Sequence, residues 1–263
     1  MSIKALSGKV FLLITGASRG IGRQIATSFG SVLQEGSHIL LLATNLNALK
    51  ESATYIPPSI SVDTVSVDLG KATKDELHSI IMQSIKNKRQ KEFDRVVIVH
   101  NAGTTGNVTE STNDMTDINA WRNYFDINVF SPAILNGVVM KIFNEETNTE
   151  KTIINITSLF GIQAGKGVGY YCTGKAAREM FFKVFALENP QVDVLNYSPG
   201  PVQTDMFQHI CDEVGNKETK IQFNDMVKKA SVLTCEQTVN RLLSVLKNRK
   251  YKSGDHVDYF DEI

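Results

Sequence analysis

The stretch that decides the fold reads Val10-Phe-Leu-Leu-Ile-Thr15 and continues Gly16-Ala-Ser-Arg-Gly-Ile-Gly22. Its first six residues are of strand length and mostly apolar, and Ile21, Ile25 and Phe29 then recur at helical spacing. This pattern predicts a buried strand, a glycine turn and a helix. Glycines allow a phosphate to approach the backbone closely, and the unpaired amides at the start of a helix attract it. The stretch therefore predicts a pyrophosphate site.

Strand-like and helix-like segments alternate along the rest of the chain. Apolar or β-branched runs predict strands at 38–43, 61–67, 95–99, 152–157, 192–197 and within the tail 254–261. Helical spacing of apolar residues predicts helices near 74–86, 121–143 and 236–246. Repeated β-α-β patterning indicates a parallel sheet with helices on both faces. We therefore predict an α/β fold, a single-domain, doubly wound, Rossmann-like parallel sheet over residues 1–263.

Composition argues against several classes of protein. The 263 residues are 42% hydrophobic and contain no linker-like stretch, which favours one domain. Lys plus Arg total 28, as do Asp plus Glu, so no overall field attracts nucleic acid or an anionic membrane. Neither a signal peptide nor eighteen consecutive apolar residues are present, which predicts a cytoplasmic protein. The cysteines, Cys172, Cys211 and Cys235, are widely spaced and predict reduced thiols rather than a disulfide framework or a metal site.

The segment after the second predicted strand bears on the choice of nucleotide. Thr44 and Asn45 occupy the place where an acidic residue would bind the ribose hydroxyls of NAD. Ser18 and Arg19 in the glycine turn can instead meet a 2′-phosphate, which an arginine binds well and an acid would repel. NADP is therefore favoured over NAD.

Further candidates for nucleotide contact follow later strands. Asn101, Ala102 and Gly103 provide a second close approach of backbone. Asp68 is placed to hydrogen-bond an adenine edge, and the position is equally consistent with a helix cap or a turn. Thr204 follows a proline-rich turn and is placed to meet the nicotinamide end or the phosphates.

The residues that carry chemistry lie between Ser158 and Lys175. Tyr171 and Lys175 are four residues apart on a predicted helix, so an ammonium lies beside a phenol. A neighbouring positive charge favours the phenolate and lowers the pKa of the phenol toward working pH. Ser158 follows a buried strand, at the edge where open parallel sheets place their chemistry. Tyr171 is therefore the candidate general acid, with Ser158 and Lys175 beside it.

Two segments and one side chain are left with alternatives. Asn128, in the predicted helix 121–143, either bonds neighbouring backbone or orders a water toward Lys175. The polar segment 207–226 is either a mobile lid over the substrate or an exposed excursion. We interpret the basic segment 86–91 as a solvated loop rather than a binding site.

Together these motifs resemble the short-chain dehydrogenase/reductase family over essentially the whole chain. The residues that match the family in order and approximate spacing are Thr15-Gly-Ala-Ser-Arg-Gly-Ile-Gly22, Asn101-Ala-Gly103, Asn128, Ser158, Tyr171-x-x-x-Lys175 and Pro199-Gly200. Segments 171–178, 194–201, 204–206 and 253–258 are similar to those of family members that reduce pterins.

The resemblance implies NADPH-dependent reduction of pterin side-chain ketones, chiefly 6-pyruvoyl-tetrahydropterin and also sepiapterin, toward tetrahydrobiopterin. It implies that Ser158 holds the substrate carbonyl and that Tyr171 gives it a proton. Lys175 would lower the pKa of the phenol and bind the nicotinamide ribose, and Asn128 would complete the catalytic set. Asp258 would anchor the amino-pyrimidine edge of the pterin by accepting two hydrogen bonds.

The resemblance also implies the remaining contacts. Besides Ser158, Tyr171 and Asp258, the substrate would meet Leu159 and Gly200. The cofactor contacts would be Gly16, Ser18, Arg19, Gly20, Ile21, Gly22, Thr44, Asn45, Asp68, Leu69, Asn101, Ala102, Gly103, Tyr171, Lys175, Pro201, Val202, Thr204 and Met206. Thr44 departs from the family, in which arginine is usual there, so Arg19 must carry more of the preference for NADP. A homodimer through the helices that contain Asn128 and Tyr171 is implied.

Two other functions stay open. One is a general NADPH carbonyl reductase for diketones or quinones, which would use the same catalytic residues. The other is a non-catalytic protein that binds NADPH and senses it or contacts a partner protein. The complete set of Ser158, Tyr171 and Lys175 argues against the second alternative.

Overall fold

In this computed structural model the described residues, 3–86 and 92–262, form a seven-stranded parallel sheet. The strands are β1 (Val10–Thr15), β2 (His38–Ala43), β3 (Ser61–Ser66), β4 (Arg95–His100), β5 (Glu150–Ile156), β6 (Val192–Ser198) and β7 (His256–Asp258). Their order across the sheet is β3-β2-β1-β4-β5-β6-β7. The direction of winding reverses between β1 and β4, and such switch points are where open α/β sheets bind ligands.

Helices cover both faces of this sheet. They are α1 (Gly20–Gly30), α2 (Leu46–Thr54), α3 (Lys74–Ser84), α4 (Ile118–Phe125), α5 (Ser131–Ile142), α6 (Gly169–Glu188), α7 (Asp205–Glu213), α8 (Lys217–Lys228) and α9 (Cys235–Asn248). Apolar residues of α1, α2 and α9 share one buried cluster with the sheet, and those of α3, α5 and α6 share another. The predicted doubly wound parallel sheet is confirmed.

The composition of β1 shows why the sheet is buried on both sides. Val10, Leu12 and Ile14 point into the cluster beneath α1 and α9, whereas Phe11 and Leu13 point into the cluster beneath α3 and α5. Side chains alternate between the two faces of a strand, so a strand that is covered on both faces is apolar at every position.

A long helical segment carries Asn128. The predicted helix 121–143 is formed by α4 and α5, which a π-helical turn at Asp126–Phe130 joins into one run. Such turns are frequent at functional sites. Among the described residues, Ile118–Ile142 is the one helical run long and apolar enough to cross a membrane, a test that core helices of soluble proteins also pass.

The segment 207–226 is helical and partly buried, so it is not merely an exposed excursion, and the alternative of a mobile lid stays a prediction. It lies within α7 and α8, whose N-termini are capped by the side chains of Thr204 and Asn216. Phe207, Ile210 and Phe223 of these helices are buried together with Val168 and Val214. These two short helices bury only a few apolar residues against neighbouring loops. The apolar periodicity of their sequence was therefore too weak to predict them. The basic segment 86–91 lies almost entirely outside the described residues.

Gly22 closes the glycine turn. A β-carbon there would lie 2.3 Å from the Gly16 carbonyl oxygen, a backbone atom that cannot yield. We expect Gly22→Ala to destabilise the fold by about 3 kcal/mol, because overpacking forces the turn and α1 apart. Chemical denaturation measures the loss. Gln24→Ala, on the same helix, should change the free energy of unfolding by no more than about 0.5 kcal/mol, and equal effects of the two substitutions would contradict the close-packing argument.

Candidate active site

A cavity of about 520 Å³ lies at the carboxyl edge of the sheet, over the switch point. The N-terminus of α1 faces it through the glycine turn, in which Gly16 and Gly20 adopt positive φ angles of 66° and 56°. The predicted residues that line the cavity are Gly16, Ser18, Arg19, Gly20, Ile21, Thr44, Leu69, Asn101, Ala102, Gly103, Asn128, Tyr171, Lys175, Thr204 and Met206. The structure therefore brings most of the proposed cofactor set together around one space of the size that small ligands occupy.

Some predicted cofactor residues do not line this cavity and have structural partners instead. Asn45 is the N-cap of α2, where its side chain accepts a hydrogen bond from Ala48 N at 3.0 Å. Asp68 accepts from Gly70 N at 3.1 Å and lies 3.4 Å from the ammonium of Lys71. These contacts show the turn role of Asp68, and its contact with an adenine edge stays a prediction.

The remaining members outside the lining hold the backbone of the site. Val202 forms a parallel bridge with Leu233, and the carbonyl of Pro201 accepts a hydrogen bond from Leu233 N at 2.7 Å. Gly22 packs against Gly16 beneath the turn. These residues therefore fix the loops that form the cavity without forming its wall.

Arg19 lines the cavity and forms an ion pair with an acidic residue. Its guanidinium is ion-paired with Asp205, a residue in the first turn of α7, and both side chains are mostly exposed. Exposed ion pairs contribute about 1 kcal/mol or less. A phosphate group at this position can therefore compete with Asp205 for the arginine.

Tyr171, Lys175 and Ser158 form a contiguous group. The Lys175 Nζ atom lies 5.5 Å from the centre of the Tyr171 ring and donates to the Ile156 carbonyl at 2.7 Å. Ser158 lies close enough to the Tyr171 hydroxyl to act on the pKa of the phenol, and its Oγ accepts a hydrogen bond from Phe160 N at 3.2 Å. Ser158 itself stands just outside the cavity wall, two residues beyond the end of β5. The predicted juxtaposition of phenol, ammonium and hydroxyl is present.

The electrostatics of this group differ from the sequence-based expectation. Burial raises the pKa of Tyr171 above its usual value, although the neighbouring Ser158 and the charge of Arg178 act to lower it. Burial and the charge of Arg178 hold the pKa of Lys175 well below its usual value, while Glu179 acts to raise it. The expectation that Lys175 lowers the pKa of the phenol is therefore wrong for the isolated protein, because desolvation of both groups dominates. A phenol with a raised pKa keeps its proton, as a proton donor must.

Asn128 is fully engaged with backbone. Its Oδ1 accepts from Thr104 N at 2.9 Å, and its Nδ2 donates to the Tyr124 carbonyl at 2.8 Å. It thereby ties the loop after β4 to the π-helical turn. The structural alternative left by the sequence is thus present, and an ordered water toward Lys175 stays a prediction.

Asp258, the most distant substrate candidate, lies level with Thr157, the residue before Ser158. Ser198 is paired with Asp258, and Thr157 N donates to the Tyr197 carbonyl, so the ends of β5, β6 and β7 are aligned. Two strand spacings separate Ser158 from Asp258, about 10 Å. Asp258 already accepts hydrogen bonds from Ser198 Oγ at 2.6 Å and Phe260 N at 3.1 Å, which leaves lone pairs on both oxygens.

The other substrate candidates border the same region. Gly200, with a φ of 72°, packs under Tyr259 and Phe260, the residues that follow Asp258. Leu159 immediately follows Ser158 and exposes 42% of its surface. Gly200 thus neighbours the residues after Asp258 and Leu159 neighbours Ser158, although neither lines the nucleotide cavity.

Comparison with known proteins identifies the family. The sequence matches the family model for short chain dehydrogenases over residues 10–215. The chain belongs to the short chain dehydrogenase family. A sepiapterin reductase from Bos taurus is 34% identical over 97% of this chain and 96% of its own length. A benzil reductase ((S)-benzoin forming) from Bacillus cereus is 24% identical over 93% of this chain and 97% of its own.

Solved structures of short chain dehydrogenases share the fold. A short chain dehydrogenase/reductase from Saccharomyces cerevisiae is 25% identical, with a TM-score of 0.79 and 97% of each chain covered. A putative short chain dehydrogenase from Shigella flexneri, crystallised with NADP, is 21% identical, with a TM-score of 0.77 and 98% and 99% of the two chains covered. These similarities confirm the fold.

Sequence reasoning missed two buried charged residues in this short chain dehydrogenase. Arg178 donates from Nε to Asn155 Oδ1 at 2.5 Å, from Nη1 to the Ala102 carbonyl at 3.0 Å and from Nη2 to the His100 carbonyl. Glu179, the next residue, is 1% exposed. One signal in the sequence could have indicated them: Asn155 is a polar residue in an otherwise apolar part of its strand. A buried amide must find a hydrogen-bond partner, and here that partner is Arg178.

Proposed function

We propose that this protein reduces the side-chain ketones of pterins with NADPH, as a step toward tetrahydrobiopterin. The observation that carries the proposal is the alignment of Ser158, beside Tyr171 and Lys175, with Asp258 two strands away. Sepiapterin reductases that are 32–34% identical over nearly the whole chain support the pterin as substrate. Sepiapterin and 6-pyruvoyl-tetrahydropterin both carry a ketone at one end and an amino-pyrimidine edge at the other.

The described residues fit a nicotinamide nucleotide. Backbone amides at the N-terminus of α1 face the cavity, where helix ends bind phosphates, and close packing at Gly16 and Gly22 leaves no space for side chains. Lys175 and Tyr171 line the end of the cavity nearest Ser158. When bound, the cofactor supplies the hydride.

The residues of the chain perform the acid catalysis. Ser158 donates a hydrogen bond to the substrate carbonyl and holds it against Tyr171. Tyr171 transfers its phenolic proton to the carbonyl oxygen as negative charge develops there, and positioned proton transfer of this kind accelerates a reaction by about 10²–10⁴-fold. Lys175 stabilises the phenolate that remains. Asp258 accepts hydrogen bonds from the amino-pyrimidine edge and fixes the distance between the ketone and Tyr171.

The direct test is NADPH oxidation in the presence of sepiapterin, followed by absorbance. Substrate-dependent oxidation supports the proposal, and its absence at saturating cofactor rejects it. A second candidate is a general diketone reductase, which the similarity to a benzil reductase favours. Benzil turnover with no sepiapterin turnover would select that function, and binding of NADPH without turnover of either would indicate a non-catalytic protein.

The preference for NADPH rests on Arg19. We expect Arg19→Ala to raise the KM for NADPH about tenfold and to leave the KM for NADH nearly unchanged, because only NADPH carries the 2′-phosphate. Initial rates with each nucleotide measure the difference. Asp205→Asn is the matched control, because it releases Arg19 from its ion pair and should not weaken NADPH binding. Equal losses with both nucleotides in Arg19→Ala would place the phosphate elsewhere.

The same proposal includes a cytoplasmic homodimer. Neighbouring helices α5 and α6 leave an apolar stripe in water, formed by Phe130, Ile134, Met180, Val184 and Leu187, of which Leu187 is 82% exposed. A second copy of this surface would cover the stripe about a twofold axis. The stripe lies on the two helices that carry Asn128 and Tyr171.

Light scattering tests the dimer. We expect the mass of two chains for the native protein and of one chain for Val184→Asp, because a buried unpaired carboxylate opposes association. Val32→Asp replaces a valine that is equally exposed on another surface and should leave the mass unchanged. A native protein with the mass of one chain would reject the dimer without bearing on the reductase activity.

A further inference from the structure

A row of polar residues crosses the sheet beneath α6. His100 of β4 is paired with Asn155 of β5, Asn155 with Asn196 of β6, and Asn196 with His256 of β7. Apolar residues occupy most of the buried positions around this row. A polar row in a buried sheet costs free energy unless its members find partners. Its presence therefore points to a charge above it on α6.

Glu179 is that charge at the β7 end of the row. Its Oε2 accepts from Thr157 Oγ1 at 2.8 Å and from His256 Nδ1 at 2.9 Å, and its Oε1 lies 2.7 Å from the Lys183 ammonium. The side chain is 2% exposed. Because a carboxylate only accepts, His256 must carry its proton on Nδ1. One buried carboxylate thus joins β5, β7 and α6.

The contacts of Glu179 lie directly beside the catalytic group. Thr157 precedes Ser158, His256 lies two residues before Asp258, and Lys175 lies one helical turn from Glu179. Gly161, in the short turn after Ser158, crosses above this point, where a β-carbon would lie 3.1 Å from Thr157 Oγ1 and 3.2 Å from Glu179 Oε2. The Glu179 carboxylate therefore lies beneath the ends of β5 and β7, next to Ser158 and Asp258, which are proposed to hold the two ends of the substrate.

Few charged groups face Glu179 and Lys175. His256 from β7 and Lys183 from α6 face Glu179, while Tyr171, Arg178 and Glu179 act on Lys175. Burial raises the pKa of Glu179, but hydrogen bonds from His256, Lys183 and Thr157 outweigh it and lower the pKa to about 2. Glu179 is therefore ionised, and it opposes the burial and the charge of Arg178 that disfavour the ammonium form of Lys175.

We propose that Glu179 is a positioning residue of the ketone reduction. Its carboxylate fixes the ends of β5 and β7 against α6, and its charge favours the ammonium form of Lys175. The inference rests on the proposed function in one respect only: the reaction must be one in which Lys175 acts as a cation. It does not depend on the identity of the ketone.

The pH dependence of kcat tests the charge. Reduction requires the ammonium form, so the rate falls as pH rises through the pKa of Lys175. Glu179→Gln keeps the shape of the side chain and removes the charge, so we expect the alkaline limb to move to lower pH by about one unit. Glu179→Asp, which restores the charge, should return the limb toward its native position. Glu188→Gln removes an exposed carboxylate from the same helix and should not move it.

A folded Glu179→Gln protein with the native alkaline limb would overturn the proposal. The profiles are measured with sepiapterin and with benzil. If the native protein reduces only benzil, the pterin assignment fails and the profiles with benzil still test Glu179. If neither is reduced, NMR titration of ¹⁵N-labelled Lys175 gives its pKa directly, and equal values in the native protein and in Glu179→Gln would overturn the proposal.

If the Glu179→Gln protein does not fold, Thr157→Val tests the positioning role of Glu179. It removes one hydrogen bond to Glu179, keeps the charge and leaves α6 intact. We expect kcat to fall about fivefold, the consequence of losing a charge-assisted hydrogen bond that anchors the strand end before Ser158. A native kcat in a folded Thr157→Val protein would overturn the positioning role.

Discussion

Replacing Tyr171 by phenylalanine is expected to lower kcat for sepiapterin about a thousandfold, because the phenol is the proton donor and its loss removes general acid catalysis. The substitution removes one oxygen atom and leaves the ring in contact with Phe160 and Lys175. Binding of NADPH, measured by fluorescence titration, should remain close to native. A loss confined to kcat identifies an interaction made in the transition state.

Tyr170→Phe provides the matched control. Tyr170 is the preceding residue, it is 1% exposed, and its hydroxyl has no hydrogen-bond partner among the described residues. Removing that hydroxyl should leave turnover native. It should not lower the free energy of unfolding, because the group that is removed is buried and makes no hydrogen bond. Equal losses in Tyr170→Phe and Tyr171→Phe would mean that the region responds to any change in packing, and the assignment of the proton donor would fail.

Asp258→Ala is expected to lower kcat/KM for sepiapterin about a hundredfold. Two hydrogen bonds from the amino-pyrimidine edge to a carboxylate are lost, and hydrogen bonds to charged groups contribute about 1.5–3 kcal/mol each. Benzil, which has no such edge, should be reduced at a nearly native rate. Initial rates with the two ketones give the ratio that distinguishes a pterin reductase from a general diketone reductase.

The control for this second substitution is Asp255→Ala. Asp255 lies in the loop before β7 and accepts a hydrogen bond from Lys252 N, so its removal perturbs the same loop without touching the end of β7. We expect native ratios for the two ketones. A uniform loss with both ketones in Asp258→Ala would show that the acid supports the fold of the β6 and β7 ends, to which it is bonded through Ser198.

Local patterns explain how much of the fold could be predicted. The apolar run at Val10–Thr15 and the glycines after it reported a strand, a turn and a helix, because each of these depends on neighbours within a few residues. The separation of Tyr171 and Lys175 likewise followed from helical geometry alone. The helices α7 and α8 were not predicted, because their stability comes from burial of Phe207 and Phe223 against distant loops.

Two residues predicted to contact the cofactor have structural roles in the folded chain: Asn45 caps α2 and Asp68 holds a turn. Their contacts with the cofactor stay predictions. The sign of the pKa shift of Tyr171 was wrong because the desolvation of a residue depends on everything packed around it. Sequence spacing supplies the charge of Lys175 but not the extent of its burial.

By itself, the sequence determined the alternation of the strands with most of the helices, the glycine turn and the residues proposed to carry the chemistry, because periodicity and spacing are local properties. The tertiary structure alone decided that Asp258 stands level with Thr157, the residue before Ser158, that Arg178 reaches His100, and that Glu179 joins Thr157 to His256. These pairs of residues lie 22 to 101 positions apart in the sequence. They follow from the register of the parallel strands, which is set by the packing of the whole sheet and leaves no local signature.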